Sequence, residues 1–277
     1  MKKEVYAGEI DFVLEKRNES TVEVKKAFHG LIKISPKMKL DREGIPAYFI
    51  VGLGGGYIED EKYKYEVTLK KGARSIITTQ ASTKVYKCEN NKKTKQETII
   101  RLEDDSVLEY VTDSVILFKD AIYNQKNEIY MDENSTLIYS DGITSGWSED
   151  GGSFTYSGVQ MTTKVYINNK IVMLDNLIVN PNEDDVRGLG YFEGYENFGT
   201  LLVINKNIND EIVERLRELL KELQLPINFG ISKLECNGFV LRVLGNLTQN
   251  IERAIVLCHN YIRKEFLNSK ELLIRKY

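Results

Sequence analysis

The chain has 277 residues, 42% hydrophobic and 29% charged, with a formal net charge of -3. That composition gives a globular chain with ample core and no global field drawing it to nucleic acid or a membrane surface. The three cysteines, Cys88, Cys236 and Cys258, form no CxxC pair, which argues against a disulfide framework or zinc ribbon and fits a reducing compartment. The N-terminus MKKEVYAGEIDF lacks the apolar core of a secretory signal, and no apolar run is long enough to span a bilayer. A cytoplasmic protein is expected.

Most of the first two thirds predicts strands, at 22–34, 47–53, 65–69, 74–86, 97–102, 107–118, 121–131 and 135–139, all rich in β-branched and aromatic residues. Turn signals separate them: Asp41-Arg42-Glu43-Gly44, Lys70-Lys71-Gly72, Asn90-Asn91, Glu103-Asp104-Asp105 and Asp132-Glu133-Asn134. Strands at 159–167 and 171–179 flank Asn168-Asn169-Lys170, a hairpin signal. Evenly spaced strands point to a sandwich, barrel or stacked β architecture, and no self-similar repeat decides among them.

Near residue 200 the pattern changes. After a short strand at 201–204, Asn209 can cap a helix that opens on Asp210 and carries Ile212, Leu216, Leu219, Leu220 and Leu223 on one face, with Pro226 as its stop. Strands at 227–234 and 239–244 follow, then a second helix from Thr248 with Ile251, Ile255, Cys258 and Ile262 facing inward. The expected fold is mainly β, an elongated stacked or sandwich-like structure with two α-helices in the C-terminal third. No linker divides it, so one domain over 1–277 is expected, with a β body to about 199 and an α/β layer from about 200.

The segment 54–87 is the most unusual stretch. Gly54-Gly55-Gly56 is followed by a strand rather than a helix N-terminus, so it reads as a sharp turn or bulge and not as a phosphate cradle. Glu59, Asp60 and Glu61 form either a charged turn or a cluster of which one or two carboxylates line a cavity and hold a cation. Thr78, Thr79, Gln80, Ser82, Thr83 and Lys84 crowd small polar side chains into one strand-like run, more than a plain core strand needs. His29 and His259 are the only histidines, and HxH, HExxH and GxSxG are all absent, which disfavours tight zinc or nickel binding and serine-triad chemistry. Trp147, the single tryptophan, lies in a glycine-rich loop as either a partner contact or a plug for the β core. These residues alone leave a β-rich hydrolase and a generic β binding module open.

The ordered motifs add a resemblance. Gly55-Gly56, then Gln80, Lys84 and Tyr86, then Leu108-Glu109-Tyr110 with Asp113, and then Asp141, Gly146, Gly151 and Phe154 are similar to the pattern of the urease accessory protein UreD family, called UreH in some bacteria. The segment DNLIVNP at 175–181 and the terminal Arg275-Lys276-Tyr277 fit it too. The family's Gly-Asp falls on Asp60-Glu61, and Trp147 stands where the family has arginine. The resemblance implies a non-enzymatic maturation factor that assembles with UreF and the GTPase UreG on apo-urease and helps deliver nickel through an internal passage. Such a carrier holds no tightly bound cofactor, only nickel in transit, because a thiolate or histidine-rich site would trap the ion. On that expectation Asp60, Glu61 and Asp141 guide the metal, and Thr78, Thr79, Gln80, Ser82, Thr83, Lys84 and Tyr86 line the passage or carry the family motif.

Overall fold

The computed structural model describes residues 5–41, 43–272 and 274, so the terminal Arg275-Lys276-Tyr277 motif lies outside the described residues. The chain opens with a hairpin of β1 (Gly8–Arg17) and β2 (Ser20–Gly30), followed by β3 (Ile32–Ile34), β4 (Met38–Lys39) and β5 (Pro46–Gly52). Coils then stack on one another. The first contains β6 (Lys62–Leu69), β7 (Arg74–Thr79) and β8 (Lys84–Val85); the second, β9 (Thr94–Leu102), β10 (Val107–Val111) and β11 (Ile116–Leu117). The next runs through β12 (Ile122–Met131) and β13 (Thr136–Thr144), and the hairpin β14 (Gly158–Ile167) and β15 (Lys170–Val179) closes one wall. The C-terminal part contributes β16 (Asn197–Ile204), α1 (Asp210–Glu222), β17 (Ile227–Lys233), β18 (Gly238–Gly245) and α2 (Thr248–Phe266).

The result is a β-solenoid with two broad walls and a narrow third. The first wall has the order β15-β14-β12-β9-β6-β1-β2, the second β17-β18-β16-β13-β10-β7-β5-β3, and the third pairs β11 with β8. Neighbouring coils pair in parallel through β6, β9, β12 and β14 on one wall and β5, β7, β10 and β13 on the other. The turns stack as well: Gly72 N–H donates to the Asp104 carbonyl, and Asp132 N–H to that of Leu102. Main-chain groups at the corners thus find partners in the next coil, as buried backbone must.

This architecture explains where strands end. The expected strand 74–86 breaks after Thr79 and the expected 107–118 after Val111, because the chain turns a corner into the third wall. Lys84–Val85 and Ile116–Leu117 resume pairing there, continued by the bridges Tyr57–Val85 and Phe118–Trp147. The repeat is hidden because the coils differ in length: Lys62 faces Lys95, Lys95 faces Asn124, and Asn124 faces Gln160. At the hairpin, Asn168 and Asn169 both take positive φ (49° and 60°), as a two-residue primed turn requires.

The second wall is buried on both faces. Its inner face joins the main core with Tyr110, Leu137, Tyr139, Leu202 and Ile204. Its outer face packs Ile138, Leu201, Val203, Phe239 and Leu241 against both helices. α1 buries Val213, Leu216 and Leu220, and its Asn209 cap accepts the Ile212 N–H at 3.0 Å. α2 buries Ile251, Ile255, Cys258 and Ile262 on its expected face.

A buried ion cluster fixes α2 to the coils. Glu109 on β10 accepts from His259 Nε2 at 2.7 Å, from Arg263, and from Arg74 Nη2 at 3.2 Å. Arg263 also reaches Asp41 at 2.7 Å and donates from Nε to the Lys270 carbonyl at 2.9 Å. Burial opposes the charge on Glu109, but His259, Arg263 and Arg74 outweigh it and hold the carboxyl down at about 2. His259 therefore serves as an internal hydrogen-bond partner of Glu109, and Cys258 beside it faces the apolar layer. Glu109→Gln leaves buried Arg263 without its main counter-charge and is expected to cost about 3–5 kcal/mol in chemical denaturation. A loss below about 1 kcal/mol would contradict this anchoring role. The lowered carboxyl also predicts stability that is present above the ordinary carboxylate range and is lost as pH falls toward about 2.

Candidate functional site: a polar seam along the solenoid axis

The space between the two broad walls is apolar over most of its length but not throughout. On the first wall Tyr65, Thr98, Asn127, Thr163 and Asp175 are successive lateral partners across β6, β9, β12, β14 and β15. Laterally paired residues share a face of a sheet, so this row of hydroxyl, amide and carboxylate groups runs along the solenoid axis. On the facing wall Asp141, Thr200 and Arg242 form a matching row across β13, β16 and β18. At about 4.8 Å per strand, Arg242 and Asp141 lie roughly 10 Å apart along it.

Side chains join the two rows. Asn127 Nδ2 donates to Tyr139 Oη at 2.8 Å and to Thr163 Oγ1 at 3.0 Å. Tyr139 Oη donates to Asp141 Oδ2 at 2.9 Å, and Gln125 Nε2 approaches the same oxygen at 3.4 Å. Tyr123 Oη donates to Gln125 Oε1 at 3.1 Å, and Tyr57 Oη contacts both Tyr65 Oη and Gln96 Oε1. Burial pushes the tyrosine hydroxyls upward, so they remain neutral donors. Burial also pushes Asp141 up to about 7, against the Tyr139 hydrogen bond that lowers it, with a smaller rise from Asp175.

Two cavities adjoin the seam, one along Tyr65, Thr98 and Asn127 and the other at its Asp175 end. The near cavity, of about 190 Å³, is bordered by the glycine turn, by Thr79 to Lys84, and inside by Tyr65, Gln96, Gln125 and Tyr139. Gly56 is needed at its rim: a Cβ there would sit 2.6 Å from the Lys84 carbonyl oxygen. Tyr86 Oη closes the turn by donating to the Gly55 carbonyl at 3.0 Å. The far cavity, of about 500 Å³, lies at the last coil between Asp175, Leu177, Phe198, Arg242 and Gly230, beneath Tyr191 and Glu193. There Arg242 Nη2 meets Asp175 Oδ1 at 2.6 Å.

The expected site residues divide accordingly. Thr79, Gln80, Ser82, Thr83 and Lys84 border the near cavity, and Asp141 is held by two of its lining residues. Thr78 does not face it. Strand alternation turns Thr78 to the opposite side of β7, where its hydroxyl donates to the Val111 carbonyl. Asp60 is exposed and paired with Lys92 at 3.1 Å, and Glu61 accepts from Ile58 N–H and Tyr63 Oη. Glu59 caps the 90–92 loop, accepting from Asn90 and Lys92 N–H. This trio is a structured outer turn, because its carboxylates are consumed by local donors. Trp147 is 51% exposed and extends a stack with Phe118 and Tyr86 on the third wall. Gln96, Gln125, Asn127, Thr163, Thr200 and Arg242 were absent from the sequence expectation. Their signal was polar residues at the inward parity of otherwise alternating strands, as in Gln125 and Asn127 between Tyr123 and Ile129.

Among the described residues no group of three or more His, Cys, Asp or Glu side chains is gathered to chelate a metal. The seam offers single carboxylates, amides and hydroxyls, oxygen donors that exchange a cation readily. Among the described residues no helix is long and apolar enough to cross a membrane.

The fold and seam define a β-solenoid with a polar axial interior and an α-helical outer layer. Comparison of sequences gives the family. The UreD urease accessory protein family matches residues 6–276. Similar proteins include the urease accessory protein UreD of Streptococcus thermophilus, 38% identical over 99% of this chain and 98% of that protein. That of Bacillus cereus is 35% identical over 96% of each chain, and that of Ureaplasma urealyticum 36% identical over 90% of this chain and 88% of its own length. The chain belongs to the UreD family of urease accessory proteins.

Asp141 gives the site a signature in solution. Its carboxyl is raised from 3.8 to about 7 by burial, so the folded state keeps a proton that the unfolded chain releases. Stability from this group is therefore lost as pH rises through that window. Asp141→Asn is expected to melt above the wild type at about pH 8, with the difference shrinking toward about pH 4. Equal melting at both pH values would place Asp141 in solvent.

Proposed function

We propose that this chain is a non-enzymatic urease maturation factor that assembles with UreF, and through UreF with the GTPase UreG, on apo-urease. Nickel is its cargo and passes along the polar seam toward the urease active site. Family membership supports the accessory role. The single observation that favours a transit role over a purely structural one is the axial row of polar side chains from the near cavity to Asp175. Apolar side chains would fill this space with less cost, since each buried polar group must be hydrogen-bonded.

The chemistry fits a carrier. A divalent cation entering by the near cavity meets hydroxyl and amide oxygens of Thr79, Thr83, Gln96 and Gln125, then the carboxylate of Asp141. Each contact replaces part of the hydration shell, and none supplies the thiolate or clustered imidazoles that would hold nickel tightly. The chain performs no bond-making step in this reading.

Thr163→Leu puts a bulky apolar group across the seam. Urease activation in a urease-bearing host is expected to fall at least about tenfold, with co-purification of UreF unchanged, whereas Thr78→Val, on the other face of its strand, leaves activation intact. Normal activation by Thr163→Leu would remove the seam from the nickel route. Active, nickel-loaded urease in a host lacking this chain would remove the accessory role itself.

A further inference from the structure

The far end of the seam is closed differently from the near end. At the near cavity the cationic side chain is Lys84, an exposed residue on the rim. At the far cavity Arg242 stands in the seam's own register, lateral to Thr200 and thence to Asp141. Its guanidinium crosses from the second wall to the first and meets Asp175 at 2.6 Å. Asp175 in turn is the lateral partner of Thr163 and the last polar residue of the opposite row. The ion pair therefore bridges the two rows where both end.

We propose that the Arg242–Asp175 ion pair is a charge gate that closes the far mouth of the seam to divalent cations and opens when the Arg242 side chain turns outward. This rests on the reading of the seam as a cation route. Three features carry it. The pair spans the gap between the walls rather than lying along one. It places a positive charge in line with Asp141, and arginine stays charged at any physiological pH. Its members differ in freedom: the Arg242 side chain is 56% exposed and that of Asp175 only 22%. The carboxylate is thus held by the wall while the guanidinium can leave. An exposed ion pair of this kind is worth little in stability, so its opening is easily reached. With Arg242 outward, Asp175 is left as an unneutralised carboxylate at the exit, a second anionic stop after Asp141 for a departing cation.

The test uses the isolated full chain, methyl-labelled at threonine and leucine, titrated with Ni²⁺ alone. Paramagnetic broadening of the Thr163 and Thr200 methyl signals reports entry of the ion into the far part of the seam, and Leu216 in the helix layer serves as a distant control. Removing one unit charge near the path should lower the Ni²⁺ concentration for half-broadening about tenfold in Arg242→Gln. Arg242→Lys, which keeps the charge, should stay near wild type. Equal broadening in wild type and Arg242→Gln, or equal gains in Gln and Lys variants, would overturn the gate. This readout does not involve urease, so the gate can fail while Thr163→Leu still blocks activation, and a failed seam reading shows instead in the activation assay.

Discussion

A polar atom buried between two sheets must find a hydrogen-bond partner, and the interior of this solenoid is organised around that constraint. Asn127 cannot be satisfied from its own strand. It takes Thr163 from the next coil and Tyr139 from the facing wall. Tyr139 passes the requirement on to Asp141, which draws in Gln125, which draws in Tyr123. The Asn127–Thr163 bond joins two coils, and Asn127–Tyr139 and Gln125–Asp141 join the two walls, so these links form only when the coils stack in a single register. A slip of one residue would turn every member of the row to the outer face. The same network that places a polar row along the axis also fixes the stacking that keeps the row in line.

The helix layer gives that path a rigid wall. The second wall is apolar on its outer face because α1 and α2 cover it, and the cluster around Glu109 ties α2 to the middle coil. Glu109 projects outward from β10 while its neighbour Tyr110 projects inward, stacked on Tyr139 at 5.7 Å. One strand thus carries the anchor on one face and the seam on the other. Displacing α2 would reach the interior through this strand. The ends lack such support: the glycine turn at one and Tyr191 with Glu193 at the other are surface segments. In the proposed transit role, entry and exit would fall at these surface segments.

The strands and both helices were legible in the sequence because alternation and helical periodicity are local. The corners were not. Gln80 to Thr83 and Thr112 to Val115 read as strand from composition, yet they turn the chain into the third wall. Coils of unequal length hid the repeat. The strand Gly8–Arg17 is not among the expected elements, although its inward residues Ile10, Phe12 and Leu14 alternate with more exposed ones such as Asp11 and Glu15. Alternation could have separated Thr78 from Thr79, which lie on opposite faces of one strand. The acidic run Glu59 to Glu61 could not be placed from sequence, because the groups that hold Glu59 and Asp60, Asn90 and Lys92, come from a later loop. Pairs such as Glu109 with His259 and Asp175 with Arg242 join distant parts of the chain, and only the coil stacking brings them together.

The central claim is that a nickel ion can occupy the interior of this chain. Anomalous diffraction at the nickel edge, from crystals of the full chain grown or soaked with Ni²⁺, addresses it directly. The account predicts an anomalous peak between the walls, within coordination distance of Asp141 and near Gln125 or Thr200. Peaks confined to surface groups such as His29 or Asp60, with the seam filled by water alone under saturating Ni²⁺, would contradict it.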